Sequence, residues 1–373
     1  MDNDKKISFL ATGSELILGD VQDSNCRYFA QSLNERGATI YQHIQASDRQ
    51  SDISSALRYL LKNSDAVIVT GGLGPTSDDT TRFAIAKVIK QPLLPNKKAW
   101  AHIVNRLKQL DLPVVTSNRQ QTLFPVGAIL YPNTQGTAFG CHIKWQNKHI
   151  FMLPGPPKEC CPLFDKHVIA TLKKLKFFTK KKKYRWLTLG LSEGAIAMEV
   201  DALANPSGVE TAYRWHYPYL EIKITAPAKK NIKKLIQSLE QLLAPYTISR
   251  NGKNAFEICN ETMSAFSDTV NIFDDVTNGQ FAAEVKLPRC HFVDNDKDKN
   301  SLLFCVKSTT RSKKITKSLG TIHLECTGYI NNQWIYNHQV AIPNRGPEVI
   351  EFIKSHIAWQ LSQFVKTVCK NSS

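Results

Sequence analysis

A chain of 373 residues is too long for one ordinary core, so two or three domains are expected. A composition of 42% hydrophobic and 21% charged residues excludes a disordered chain, and no apolar run reaches the ~20 residues that a membrane helix needs. The formal net charge is +16, with 15 Lys/Arg against 6 Asp/Glu in residues 171–250. Solvated helix ends and a linker account for such a run as well as an anionic partner does. Charge alone therefore assigns no nucleic acid and no membrane. The opening Met1–Lys6 leads directly into a strand-like run rather than an apolar signal. Nine scattered cysteines without a CxxC pair read as reduced thiols, and the expected location is cytoplasmic.

In chain order, Ile7–Ala11 reads as a buried strand ending at Thr12-Gly13. Ser24 is a candidate cap for a helix carrying Phe29, Ala30 and Leu33 on its apolar face. A strand near Ile40-Tyr41 follows. Ile53, Ala56, Leu57, Leu60 and Leu61 then recur at helical spacing. The continuous apolar run Ala66–Thr70 suits a central parallel strand covered on both faces, and Phe83, Ile85, Ala86, Val88 and Ile89 suit a further helix. This alternation predicts a parallel α/β sheet over residues 1–175. Cys141–Trp145 and His149–Leu153 read as a hairpin, with a helix after Pro157. Beyond the boundary run Lys180–Lys183, residues 183–250 carry a β-α-β-β-α order, a small α+β module. Residues 255–373 are weakly patterned at first, with an exposed loop at 294–300, and end in a clear helix near Glu348–Val368.

Chemistry concentrates after the Ala66–Thr70 strand. Gly71, Gly72 and Gly74 follow it at once, with a helix beginning near Asp79-Thr80. Ligands of open α/β sheets bind at the carboxyl ends of strands. Glycines there let backbone approach a phosphate, and free N–H groups at a helix start favour anions. Thr76 and Ser77 add hydroxyls. A purely structural turn would use the same glycines. Asp78 and Asp79 sharpen the reading, because two acids beside a phosphate call for an intervening cation of the Mg²⁺ type; either acid could instead cap the helix. Thr12-Gly13-Ser14-Glu15, Asn118–Gln121, Asn133–Thr137 and Leu153–Pro157 are polar or turning segments expected on the same sheet edge.

Gly13–Gly19, Asp23-Ser24-Asn25, Thr70–Thr81, Asn118-Arg119, Gly136-Thr137-Ala138 and Leu153-Pro154-Gly155 together resemble the CinA (competence/damage-inducible) family over residues 5–250. The resemblance implies a three-layer α/β/α domain of the molybdopterin-binding, MogA/MoeA-like type. It also implies metal-dependent hydrolysis of ADP-ribose, a small-molecule nucleotide substrate, to AMP and ribose 5-phosphate. By motif, Asp78 and Asp79 fall on the family's metal and catalytic acids, with Mg²⁺, Mn²⁺ or Co²⁺ as the divalent ion. Gly71, Gly72, Gly74 and Thr76 fall on its phosphate loop, and Thr12, Gly13, Glu15, Asn25, Asn118, Arg119, Gly136 and Thr137 line its pocket. Phe139 departs from the family's usual proline. A non-catalytic pterin or nucleotide binder is the alternative.

The module at 183–250 resembles the family's KH-like connector. Its Gly190–Gly194 stretch lacks the GxxG spacing that clamps RNA backbone, so no specific nucleic acid is expected. Residues 255–373 resemble a degenerate nicotinamide-nucleotide amidase domain, an α/β fold. Phe273–Gly279 stands where the family has Ala-Glu-Ser-Cys-Thr-Gly-Gly, so Asp275 replaces the nucleophilic serine, and an aspartate lacks the hydroxyl that would be activated. Gly320–Ile322 and Asn344–Gly346 remain of that domain's later motifs. Loss of amidase activity is expected, as is homodimerisation, a property of the family.

Overall fold

The computed structural model describes residues 5–285, 287, 289–297, 301–308, 320–344 and 346–371. Met1–Asp4, the last three positions of the expected 294–300 loop and Arg345 lie outside the described residues. The chain divides into two compact units, Met1–Lys180 and Lys181–Ser373.

The first unit runs β1 (Lys6–Thr12), α1 (Ser14–Leu18), α2 (Ser24–Glu35), β2 (Thr39–Ala46), α3 (Gln50–Asn63), β3 (Ala66–Thr70) and α4 (Thr81–Ile89). There follow β4 (Leu93–Pro95), α5 (Lys97–Gln109), β5 (Leu123–Pro125), β6 (Ile129–Tyr131), β7 (Gly140–Trp145) and β8 (Lys148–Leu153). α6 (Pro157–Leu163) continues through a π turn, Phe164–Val168, into α7 (Ile169–Lys174). The main sheet has the order β2-β1-β3-β8-β7-β6. Its first four strands are parallel; β7 runs antiparallel to β8, and β6 antiparallel to β7.

Strand alternation sends side chains to two separate cores. Leu10, Val67, Val69, Ile150 and Met152 meet Leu57, Leu60 and Ile85 of α3 and α4 on one face. Ile7, Phe9, Ile68, Phe151 and Leu153 meet Phe29 and Leu33 of α2 and Phe164, Val168 and Leu172 on the other. The result is the three-layer α/β/α arrangement expected for this segment. β3, bounded by neighbours on both edges and both faces, is buried at every position. The cap of α2 differs from expectation. Asp23, not Ser24, takes the position, its carboxylate accepting from the Cys26 N–H at 2.9 Å.

The second unit begins with β9 (Lys181–Leu189), so Lys181–Lys183 form strand backbone. It continues with α8 (Glu193–Ala204), β10 (Glu210–His216), β11 (Tyr219–Pro227), α9 (Lys233–Leu243) and β12 (Thr247–Ser249). The β-α-β-β-α order is as expected, with β12 added in a sheet ordered β10-β11-β9-β12. Trp186, Ile222 and Ile224 on one face pack with Ile196, Val200 and Leu239 of α8 and α9. Then come α10 (Ala255–Ala265), β13 (Val270–Asp274), α11 (Gln280–Glu284), β14 (Cys290–Phe292), β15 (Leu303–Ser308), β16 (Gly320–Ile330), β17 (Gln333–Asn344) and α12 (Val349–Asn371). Their sheet is ordered β14-β13-β15-β16-β17. Leu187, Leu189 and Tyr219 of the first sheet share a core with Val270, Phe304, Ile357 and Phe364. That common core makes residues 181–373 one compact unit. Among the described residues, no helix is long and apolar enough to cross a membrane.

Candidate functional site

Crossovers from β1 run in opposite directions along the sheet: β2 flanks it on one side and β3 on the other. The carboxyl ends of β1 and β3 therefore open a crevice, the usual ligand position in such sheets. Thr12 ends β1 and Thr70 ends β3. The Thr12 hydroxyl is buried, 2.9 Å from the Thr81 hydroxyl and 3.3 Å from the Thr70 carbonyl oxygen. Three chain segments thus cross within van der Waals distance, which is why glycine follows Thr70. A Cβ on Gly71 (φ +101°) would lie 2.2 Å from the Thr12 carbonyl oxygen, and one on Gly72 (φ +63°) 2.2 Å from the Thr81 hydroxyl. The Gly71 N–H donates to the Leu153 carbonyl at 3.1 Å, tying in the end of β8.

Asp79 holds the loop. Its Oδ1 accepts from the Gly74 N–H at 2.7 Å and its Oδ2 from the Thr76 N–H at 2.9 Å and from the Thr76 hydroxyl. A side-chain anion thus occupies part of the N–H cradle that the glycine pattern suggested for phosphate. α4 begins only at Thr81 and has no side-chain cap, so neither acid caps that helix. Asp78 is fully exposed. Hydrogen bonds from Thr76 and from its own backbone N–H keep its carboxyl below the ordinary aspartate range, and among the described residues no cation pairs with it. Among the described residues, no acceptor meets the Gly72 N–H.

Two contributors lie outside the residues singled out from sequence. Arg82 is buried to 1% exposure beneath the loop and donates to the Leu73 carbonyl at 2.7 Å and the Gly74 carbonyl at 3.4 Å. Burial brings its pKa down to about 10, while the nearby Asp79 carboxylate favours the charged form. Gln120 donates to the carbonyls of Gly74 (3.1 Å) and Thr76 (2.6 Å). Nothing in the pattern marks Arg82 except that it is the lone cation in the first turn of an apolar helix. Gln120 sat inside a quoted motif whose neighbours drew the assignment.

The remaining expected residues divide. Asn25 joins the crevice: its Nδ2 donates to the Gly155 carbonyl at 2.7 Å and the Thr70 hydroxyl at 3.3 Å, while its buried Oδ1 has no partner. Thr137 joins through Gln121, whose amide reaches the Thr137 hydroxyl at 3.1 Å and the Leu73 carbonyl at 3.5 Å. Gly136 presses against Glu159, where a Cβ would sit 2.0 Å from the carboxylate, and its carbonyl meets His102 Nε2 at 3.0 Å. Gly13 follows β1, with the exposed Glu15 carboxylate folded back over it. Asn118 braces its own turn by accepting from the Val115 N–H at 2.8 Å. Arg119 is exposed and lies over the Trp100 ring at 5.1 Å, and among the described residues its side chain makes no hydrogen bond to the loop. Phe139 is buried in the α3–α4 core beside His102, ring centroids 4.7 Å apart.

Residues 8–174 match the family described as "Probable molybdopterin binding domain". A competence-damage inducible protein of Thermoanaerobacter sp. strain X514 is 30% identical over 282 residues, covering 74% of this chain and 68% of that protein. A CinA-like protein of Shewanella frigidimarina is 32% identical over 241 residues, 64% of this chain and 57% of that one. Among solved structures, CinA of Thermoplasma acidophilum, titled as of unknown function, is 28% identical and covers 46% of this chain and 98% of its own, with a TM-score of 0.41. The chain belongs to the CinA, or competence-damage inducible, family, with a domain of the molybdopterin-binding type at its front.

Proposed function

We propose that the first unit is a metal-dependent ADP-ribose pyrophosphatase, which adds water across the P–O–P bridge to release AMP and ribose 5-phosphate. The observation that carries this reading is the division of labour between adjacent acids. Asp79 is consumed in shaping the glycine loop, whereas Asp78 is ionised, exposed and paired with no cation among the described residues. A site that only bound a phosphate by its backbone would be weakened by that second negative charge. One free carboxylate fits a hydrated hard ion, since Mg²⁺ commonly keeps several waters and binds through one or two carboxylates plus substrate phosphate. Asp78 would hold the ion, and the ion's chemistry when bound is to neutralise phosphate charge and polarise a phosphoryl oxygen. The Gly72 N–H meets no competing acceptor among the described residues and supplies a donor for developing charge. Asn25 Oδ1, buried and unpartnered, supplies an acceptor for a sugar or base N–H or O–H group. The partner is a small nucleotide, and no specific nucleic acid or membrane is invoked.

Incubation of the purified chain with ADP-ribose and Mg²⁺, Mn²⁺ or Co²⁺ is expected to yield AMP and ribose 5-phosphate in equal amounts, with none after chelation. Saturable nucleotide binding with no AMP under any of the three metals would establish the non-catalytic binder instead.

We also propose that residues 255–373 lack nicotinamide-nucleotide amidase activity. In the turn after β13, Asp274 accepts from the N–H groups of Val276 and Thr277 at 2.9 and 3.0 Å and from the Thr277 hydroxyl. The hydroxyl nearest the expected nucleophile position is thereby spent on the turn, and Asp275 offers none. Nicotinamide mononucleotide incubated with the chain should release no ammonia, and measurable release would overturn this assignment.

A further inference from the structure

We propose that Asp23, Cys26 and His43 form a binding site for a thiophilic divalent ion of the zinc type, separate from the glycine loop. One ligand atom from each, a carboxylate oxygen, Sγ and an imidazole nitrogen, lies within 4.8 Å of the other two. Tetrahedral zinc with bonds of about 2.0–2.3 Å places its ligands roughly 3.3–3.8 Å apart, so small side-chain movements of about 1 Å close the set. All three residues line one open cavity of about 310 Å³, which leaves room for water in the fourth position.

The fold brings them together by two local periodicities. Asp23 caps α2, and Cys26 follows three residues later on the helix face turned to the sheet. His43 lies on edge strand β2. Capping occupies only Asp23 Oδ1. Its Oδ2, on a side chain 5% exposed, lies 2.8 Å from His43 Nε2, the two forming an ion pair when the imidazole is protonated. A cap and an apolar cysteine would need no imidazole beside them, and the Asp23–His43 pair already holds two of the three donors together. An ion completes the arrangement electrically. On binding, the Cys26 thiol gives its proton to solvent, and thiolate plus carboxylate cancel the dication, with neutral imidazole as the third ligand. The mixed S/N/O donor set excludes Mg²⁺ and Ca²⁺, which take oxygen ligands.

The site fastens the start of α2 to β2. The residue between Asp23 and Cys26 on the other side of that helix start is Asn25, which faces the crevice, so occupancy should steady one wall of the nucleotide site without entering it.

The test uses the full chain, stripped of metal and titrated with Zn²⁺, and in parallel with Co²⁺ as a spectroscopic probe. One equivalent that depends on Cys26 and His43 is expected to bind, Zn²⁺ should raise Tm, and Co²⁺ should give a thiolate-to-metal charge-transfer band, which an ion held by the oxygen ligand Asp78 cannot give. Cys26→Ser should abolish that band, and His43→Gln should weaken binding by at least tenfold, the order of loss seen even for outer-shell changes at metal sites. Asp78→Ala should leave both readouts unchanged. Because Cys26 is buried and its variant is at risk of misfolding, His43→Gln on the exposed strand decides independently. Wild-type chain that binds no Zn²⁺, or variants that bind it as wild type does through other thiols, would overturn the proposal.

Discussion

Asp78→Ala is expected to lower AMP release from ADP-ribose by about 10²–10³-fold, the scale of losing one charge-stabilising group in an active site, while leaving the denaturant midpoint where it was. Its carboxylate is fully exposed and its hydrogen bonds are local, so folding has little at stake in it. Asp79→Ala should behave oppositely in kind. It strips the charged acceptor from the Gly74 and Thr76 N–H groups, and a hydrogen bond to a charged group contributes about 1.5–3 kcal/mol. Activity then falls with the loop's shape, and Asp79→Asn, which retains an acceptor oxygen, should recover part of the stability. Urea unfolding alongside product analysis separates the two roles. Asp79→Ala that unfolds at the wild-type midpoint yet loses AMP release would make Asp79 the ion's ligand and refute the division proposed here. Because Asp78 titrates below the usual aspartate range, any rate dependent on its charge should hold as pH falls towards that range and be lost only beneath it.

Gly71→Ala should destabilise the first unit by about 2–5 kcal/mol. A left-handed backbone costs an L-residue about 1–2 kcal/mol, and forcing a methyl into a packed site adds about 1–3. Both apply, since φ is +101° and the methyl would meet the Thr12 carbonyl oxygen at 2.2 Å. That oxygen is backbone at the end of a buried strand and has nowhere to retreat. Gly194→Ala is the matched control. It lies in α8 with open space around its Cβ position, so about 1 kcal/mol of stabilisation is expected from helix propensity alone. Denaturant curves of the two variants measure both. Gly71→Ala within 0.5 kcal/mol of wild type, about the usual effect of a surface substitution, would show that the strand ends do not close on this loop as described.

The legible parts of the fold were those governed by short-range periodicity. The continuous apolar run of β3 identified a strand buried on both faces, and the i, i+3, i+4 spacing of Ile53, Ala56, Leu57 and Leu60 identified α3, because each pattern reports which side of an element meets water. The glycine loop was legible for a similar reason, as three glycines after a central strand suit a crossing too tight for side chains. The cap of α2 was missed because Asp23 and Ser24 are both good capping residues, and only backbone geometry chooses between neighbours. Arg119 was assigned to the pocket by motif, and only the tertiary structure shows its guanidinium lying over the Trp100 ring.

The sequence by itself determined the alternation of strands and helices, the position of the glycine loop and the pair of acids beside it, since these follow from local sterics and burial preference. Only the tertiary structure decided which acid is free. Asp78 and Asp79 are chemically identical, and their difference arises from where the loop's N–H groups point once Arg82 and Gln120 have fixed its carbonyls from below and beside. The same holds for Asp23, Cys26 and His43. His43 lies seventeen positions after Cys26, and no local pattern connects them until β2 pairs with β1 and α2 packs across both.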